Sequence, residues 1–373
     1  MPTIAFIMQT FYGDAIGGAE RQVQILAQAL RERGWRTLYI CERQAGKPAR
    51  ETVQGMEVLA LPVRKKREEW RNFRLLQEAM EQSRADLFYQ RVRMPYTGLA
   101  ARSAGRLRRP FVWAAASVAD VVRDKDLRRA GYPTVPLDLM LRPLNRYLED
   151  WGIRRADAVI LQTDEQCRLL ERNYGRLGTV IPNHVVVCED LAVEKRHPPE
   201  VLWLSNIKRF KRPELFVELA RRCRDLELRF VMAGATYQQD MREQIEAAHA
   251  ELPNFEYMGP LEPAASEKRI AASTVLVNTS RFEGFPNAFQ QAWCHGVPTL
   301  SLGVDPDGVI AREGLGSSAE NLDGLEADLR RLITDPAARE AVGQRARRFA
   351  RTNYDLADLL PRYLSLFEGL IRA

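Results

Sequence analysis

Cysteine is scarce in this chain. The five residues of that type in 373, Cys41, Cys167, Cys188, Cys223 and Cys294, are odd in number, scattered, and form no Cys-x-x-Cys pair. A disulfide framework and a thiolate zinc site are both excluded on that pattern, and a reducing compartment fits it. Histidine is scarcer still, at His184, His197, His249 and His295, with none at metal-ligand spacing. No apolar run approaches the roughly 20 residues that a bilayer-spanning helix needs. The first residues, MPTIAFIMQTFYGDAIGGAE, lack the basic stretch of a secretory leader. A cytoplasmic protein is the expectation. No phosphate-binding loop, Ser-His-Asp order or paired-acid hydrolase signature stands out either.

Basic charge is present in excess, and unevenly. Up to Val186 there are 31 Lys+Arg against 21 Asp+Glu, a net +10, and the remainder has 24 against 28, a net −4. The arginines cluster in Arg64-Lys65-Lys66-Arg67, Arg106 to Arg109, Arg123 to Arg129 and Arg142 to Arg155. Such runs are either a solvated face or a footprint for an acidic acceptor or an anionic membrane surface. Nucleic acid is the poorer partner, because no aromatic-interleaved basic stripe accompanies the charge.

The length suggests two domains at about 100 to 200 residues each. Short apolar segments alternate with helical patterns throughout: Thr3 to Met8, Thr37 to Cys41, Met56 to Leu61, Leu87 to Gln90, Phe111 to Ala115 and Ala158 to Gln162. After a polar stretch from Glu189 to Glu200, read as a linker, a second series runs Val201 to Leu204, Arg229 to Ala233, Phe255 to Met258, Thr274 to Asn278 and Thr299 to Leu302. This rhythm predicts two parallel sheets covered by helices, an α/β fold whose ligands sit at strand C-termini. Two helical patterns, Pro336 to Asn353 and Leu356 to Arg372, end the chain.

Three loops carry candidate chemistry. Gly13 and the pair Gly17-Gly18 lie between the first strand and first helix, where backbone can approach a ligand, although the Gly-x-Gly-x-x-Gly spacing is missing. After Val201 to Leu204 comes Ser205-Asn206-Ile207-Lys208-Arg209-Phe210-Lys211-Arg212-Pro213, with four cations in five positions. Val275 to Leu302 reads as a buried strand, a tight loop holding Glu283, and a helix opened at Pro286 and closed by Gly296. Amides of Gly284, Phe285 and Asn287 at that helix N-terminus would attract an anion, and Glu283 could bond hydroxyls of the same ligand. A phosphate beside a polyol describes a nucleotide sugar. Arg91 and Arg93, just past a strand, are the acceptor-side candidates.

The Glu283 loop resembles the donor-site motif of the retaining nucleotide-sugar glycosyltransferases of family 4, which have the GT-B fold. Their pattern is a Glu, then Gly-Phe-Pro-Asn, and a second Glu eight residues after the first. Here Glu283 fills the first place, Gly284-Phe285-Pro286-Asn287 follow, and Gln291 stands at the second. The resemblance implies that Glu283 contacts the transferred sugar and residue 291 the ribose. Glutamine keeps a bond to a hydroxyl but forfeits the charge-assisted one, roughly twice as strong. Lys211 matches the lysine of the family's Arg-then-Lys diphosphate clamp, whereas Asn206 occupies the arginine position. Lys208 or Arg209 is the replacement proximity suggests. Gly17-Gly18-Ala19-Glu20 is similar to the family's Gly-Gly-x-Glu loop. The family's histidine after the middle N-domain strand has no counterpart in Val112 to Ser117.

The resemblance implies two Rossmann-like domains facing each other, at residues 1–186 (acceptor side) and 187–354 (donor side), with a last helix at 355–373 packing on the first domain. It implies a retaining sugar transfer from a nucleotide diphosphate-sugar, with Lys211 and Glu283 catalytic, and no divalent metal is needed if the cations of the site serve in its place. The donor is a substrate and no cofactor is called for. The acceptor would be a glycan, a lipid-linked group or a small molecule, and contact with the inner face of an anionic membrane fits the basic half. A non-catalytic glycan-binding or partner subunit of the same fold is the alternative that Gln291, Asn206 and the missing histidine keep open. An epimerase or phosphorylase on this fold would use similar donor contacts.

Overall fold

The computed structural model describes residues 1–12, 14, 17–43, 46–64, 68–123, 142–186, 193–236 and 238–373. Gly13, Lys65 to Arg67, the basic run beyond Arg123, Cys188 and the first part of the expected linker lie outside the described residues. The chain divides into two compact units, Met1–Asn183 with Leu359–Ala373, and His184–Asp358. The division falls three residues before the sequence boundary of 186.

The first unit is built on one eight-stranded sheet: β1 (Thr3–Thr10), β2 (Arg36–Arg43), β3 (Arg50–Val53), β4 (Met56–Pro62), β5 (Leu87–Arg91), β6 (Phe111–Ala114), β7 (Ala158–Leu161) and β8 (Thr179–Val180). Its order is β3-β4-β2-β1-β5-β6-β7-β8. Every pairing is parallel except the antiparallel β3–β4. β1 reads as continuous apolar sequence because helices cover both faces of such a sheet; Ile4, Ala5, Phe6, Ile7 and Met8 are all buried. In the first helix, Gly18–Glu32, the stripe Val23, Leu26, Ala27 and Leu30 faces the core. The last helix, Leu356–Arg372, joins this unit from Leu359 onward. Its Phe367 ring meets Trp35 at 6.2 Å and Tyr89 at 6.1 Å between centroids.

Order reverses between β1 and β5, neighbours in space that are far apart in sequence. Loops leaving strand ends at such a switch point diverge and open a crevice. The Gly17-Gly18 loop follows β1, and Arg91 to Arg93 follow β5.

The second unit holds six parallel strands, β9 (Glu200–Leu204), β10 (Arg229–Ala233), β11 (Phe255–Tyr257), β12 (Val275–Asn278), β13 (Thr299–Leu302) and β14 (Gly316–Ala319). Their order is β11-β10-β9-β12-β13-β14. Numbered within the unit this is 3-2-1-4-5-6, the doubly wound arrangement of dinucleotide-binding folds. Its switch point lies between β9 and β12, which pair through Val201↔Val275 and Leu202↔Leu276.

Among the described residues no helix is long and apolar enough to cross a membrane, and Cys41, Cys167, Cys223 and Cys294 are free. Burial pushes the Cys41 thiol up to about 12 and that of Cys223 to about 11, so neither is a ready nucleophile.

Glycine sets the closest packing of the first unit. The helices Pro95–Leu107 and Arg142–Arg155 approach so tightly that a Cβ on Gly98 would stand 2.2 Å from the Leu148 carbonyl oxygen. One on Gly152 would stand 2.5 Å from the Thr97 carbonyl. Backbone cannot yield as a flexible side chain does, so Gly98→Ala should cost roughly 1–3 kcal/mol. A lower melting midpoint checks this, with Gly105→Ala, which meets nothing within 4 Å, as a neutral control.

Candidate functional site

The second unit's switch point brings two loops together. Beyond β9, Ser205 N–H donates to the Ala233 carbonyl at 3.1 Å and Ile207 N–H to that of Ala235 at 2.8 Å, while the Ile207 side chain is buried in the core. The chain then makes one short turn, Arg209–Lys211. It enters the helix Pro213–Arg222 through Arg212, whose φ of +50° is left-handed. Beyond β12, the Arg281 N–H donates to the Phe210 carbonyl at 2.8 Å, lacing one loop to the other.

Within this frame the Lys211 ammonium forms a short ion pair with Glu283, each side chain 13% exposed. Glu283 Oε1 also accepts from Ser280 Oγ at 2.7 Å and from Asn278 Nδ2 at 3.4 Å. The two sequence-predicted catalytic residues, 72 positions apart, therefore meet. Lys211 Nζ also lies 5.4 Å from the centroid of the Phe210 ring, within cation–π range. An ammonium has three N–H donors, and one bond to Glu283 leaves two for an incoming anion.

Arg212 holds the frame. Its guanidinium donates to the carbonyls of Thr279 (2.6 Å), Ser280 (3.2 Å) and Leu302 (2.9 Å), tying the ends of β12 and β13 to the β9 loop. Burial lowers its pKa, yet three carbonyls offset much of that cost. Thr279 Oγ1, which is fully buried, joins the same bracket by donating to the Lys211 carbonyl (2.7 Å) and accepting from Trp203 Nε1 (3.0 Å). The sequence counted Arg212 only as one cation of four. Its left-handed φ and its carbonyl partners carry the distinction, and neither has a sequence signature.

The other donor-side candidates divide. Gly284, Phe285 and Pro286 are buried, and Pro286 is the N-cap of the helix Asn287–Cys294. The Phe285 ring packs edge-on against Trp293 at 6.0 Å and Tyr354 at 5.2 Å, so its side chain belongs to the core and only its backbone faces the loop. Asn206, Lys208 and Arg209 are exposed on the β9 loop. Lys208 Nζ stands 5.9 Å from the Phe210 ring centroid, and Arg209 is ion-paired with Asp240. Gln291 Nε2 donates to Glu267 at 2.9 Å, and Glu267 also bonds His295 Nε2 at 2.6 Å.

In the first unit Gly17 is the N-cap of its helix, which begins at Gly18, two residues before the start expected from sequence near Glu20. The Glu20 carboxylate accepts from Thr10 Oγ1 at 2.9 Å and lies where a Gly17 Cβ would be, 2.1 Å from that position. Arg91 is 3% exposed, and its guanidinium donates to Asn183 Oδ1 at 2.5 Å and to Tyr89 at 3.5 Å. Arg93 pairs with Glu149 at 3.2 Å and donates to the carbonyls of Asp120 and Val122. Beside it, burial raises the Asp120 carboxyl although the amides of Ala116 and Ser117 bond it. Both arginines thus brace the ends of β5 and β6. His184 is buried at 1%.

Two Asp-x-Asp triplets bear on metal binding. Asp124-Lys125-Asp126 lies outside the described residues. Asp305 of Asp305-Pro306-Asp307 accepts from the amides of Ile310 (2.7 Å) and Ala311 (3.1 Å), which is a helix-capping role. Among the described residues no group of three or more His, Cys, Asp or Glu could hold a metal ion.

Residues 16–187 match the family model for Glycosyltransferase Family 4, and residues 198–335 that for Glycosyl transferases group 1. No curated protein matches the sequence. Solved structures resemble it over its whole length. Sucrose-phosphate synthase of Thermosynechococcus elongatus is 16% identical, covers 100% of both chains and superposes with a TM-score of 0.79. Anabaena HepE, solved with UDP and glucose, is 15% identical over 99% of this chain and 100% of its own, at 0.76. WaaG, a glycosyltransferase involved in lipopolysaccharide biosynthesis, is 17% identical over 98% and 100%, at 0.74. At such identities the likeness shows the fold, which is GT-B.

Removing the bracket tests the local account. Arg212→Ala leaves three carbonyls without their charged donor, a loss of about 2–3 kcal/mol. Arg212→Lys, which cannot span all three, should recover less than half of the fall in melting midpoint. A variant as stable as wild type would contradict the role.

Proposed function

This chain belongs to the family 4, group 1 glycosyltransferases, which use nucleotide sugars, and we propose that it transfers a sugar with retention of configuration and without a divalent metal. The observation that carries the proposal is the Lys211–Glu283 pair at the second unit's switch point. In a nucleotide sugar the breaking bond joins the anomeric carbon to a diphosphate. Negative charge grows on the leaving oxygen as that bond lengthens. A fixed ammonium beside it stabilises the transition state more than the ground state, which is how such a group accelerates reaction.

Glu283 serves two ends. Its carboxylate aims the ammonium while the site is empty of donor, and it accepts hydroxyl hydrogens of the sugar once the diphosphate has drawn the ammonium over. Ser280 and Asn278 keep that carboxylate in place. The helix beginning at Asn287 adds the partial positive charge of its N-terminus. Lys211 and the helix terminus supply the charge that a metal would otherwise bring, which supports metal independence. On the first unit, Gly17 and Gly18 lie at a helix N-terminus whose amides suit an anion, with the Glu20 carboxylate seated against Gly17.

A glycan or lipid-linked acceptor fits the basic first unit. Arg102, Arg106, Arg108, Arg109 and Arg155 line one open pocket there, with Trp151 and a single acid, Asp157, beside them. That surface suits an anionic membrane. Binding to vesicles containing anionic phospholipid should fall steeply between 50 and 300 mM salt, in keeping with a Debye length of about 10 Å at 0.1 M. Binding that is unchanged by salt would contradict an electrostatic contact.

Two assays test the transfer itself. Among UDP, GDP and ADP, at 100 times Kd the right one should stabilise the protein by about 2.7 kcal/mol. Slow release of sugar from the matching nucleotide sugar should persist in EDTA and fall about 10²–10³-fold in Lys211→Ala. Glu283→Ala should lose turnover while keeping diphosphate binding. Nucleotide binding without sugar release would instead identify a binding subunit, and interconversion of the sugar without an acceptor an epimerase.

A further inference from the structure

The position where the donor-site motif calls for a second glutamate holds Gln291, and the structure shows what surrounds it. Gln291 lies in the second turn of the helix Asn287–Cys294, and its Nε2 donates to Glu267 Oε2 at 2.9 Å. Glu267 comes from another helix, Pro263–Ala272, and its second oxygen, Oε1, is 2.6 Å from Nε2 of His295. The His295 side chain is 9% exposed and that of Glu267 26%. His295, the C-cap of that helix, follows Gln291 by about one turn, and both donors converge on a single carboxylate.

Chemistry fixes the orientation of the amide. An ionised carboxylate only accepts, so the branch of Gln291 that meets Glu267 must be the NH2, and the carbonyl Oε1 is turned the other way. A free glutamine side chain could offer a ribose either a donor or an acceptor by flipping. Here the flip would set a carbonyl oxygen against a carboxylate and forfeit a charge-assisted bond. The amide is thereby held as an acceptor, the role that a glutamate would play. A glutamate at 291 would do the opposite in this setting, since it would put two carboxylates in contact.

We infer that Glu267, held by His295, is a positioning residue that locks Gln291 as the acceptor for the donor's ribose hydroxyls, so that the carboxylate missing at position 291 is supplied one shell back. The inference rests on the donor-site reading above and on the ribose contact that the resemblance to family 4 implies for position 291. It explains why Gln291 is compatible with a working site without calling on charge at 291.

The test uses the full chain and whichever of UDP, GDP or ADP binds best, together with its 2′-deoxy and 3′-deoxy counterparts, by calorimetric titration. Wild type should prefer the ribo form. Glu267→Ala should weaken the ribo form about tenfold, the worth of one hydrogen bond, and leave the deoxy forms unchanged. Gln291→Glu alone should also weaken the ribo form, and the reciprocal pair Glu267→Gln with Gln291→Glu should return it to within about threefold of wild type. Glu267→Gln, the mildest change, with an unaltered melting midpoint, separates positioning from misfolding. Equal losses for ribo and deoxy forms, no loss in Glu267→Ala, or merely additive effects in the reciprocal pair would overturn the inference. Wild type that binds the diphosphate with no preference for ribose overturns it and leaves the donor reading standing. Wild type that binds none of the three diphosphates overturns both.

Discussion

Everything at the second unit's switch point depends on one ion pair, Lys211 with Glu283. Two opposite charges set mostly out of water are costly apart and are compensated together, provided their remaining bonding capacity is met. Glu283 has Ser280 and Asn278, and Lys211 has the Phe210 ring. The pair therefore fixes the two loops in a single arrangement before any ligand arrives. With the loops set in advance, only the ammonium and the carboxylate shift as donor binds, and no dipoles need reorienting later as charge develops in the transition state.

The pair exists because of topology. β9 and β12 are neighbours across the point where the strand order reverses, so the loops leaving them separate and leave space above the sheet. Arg212 then closes the base of that space by bonding three carbonyls from β12 and β13 and their loops. Core packing below is ordinary: Trp203 and Phe216 on one side, Phe285, Phe289 and Trp293 on the other. The first unit has the same reversal between β1 and β5, with Gly17-Gly18 after one strand and Arg91 and Arg93 after the other.

Most of the architecture was legible in the sequence, because buried parallel strands are runs of apolar residues and their helices carry apolar stripes. Eleven expected strands appear within a residue or two of their predicted ends. The three that were missed have physical reasons. β8 is two residues long, β14 reads Gly-Ser-Ser-Ala, and β3 is a polar edge strand that pairs antiparallel with β4. Glu283 and Lys211 were legible through motif and spacing. Arg212 and Glu267 were not, since one is a cation among cations and the other an acid on a polar helix face. Arg91 and Arg93 looked ligand-ready at a strand end, yet their guanidiniums are taken up by Asn183, Tyr89, Glu149 and two carbonyls. Sequence gives a residue's reach, and only packing shows what it has already grasped.

The central claim is that the ammonium of Lys211 leaves Glu283 for a diphosphate while Glu283 turns to the sugar. A crystal structure of the protein with an intact, slowly hydrolysed nucleotide sugar examines it directly. The account predicts Lys211 Nζ within about 3 Å of a diphosphate oxygen and the Glu283 carboxylate within hydrogen-bond reach of sugar hydroxyls. A donor bound with its diphosphate on other cations, and the Lys211–Glu283 pair unbroken and untouched beside it, would contradict the account.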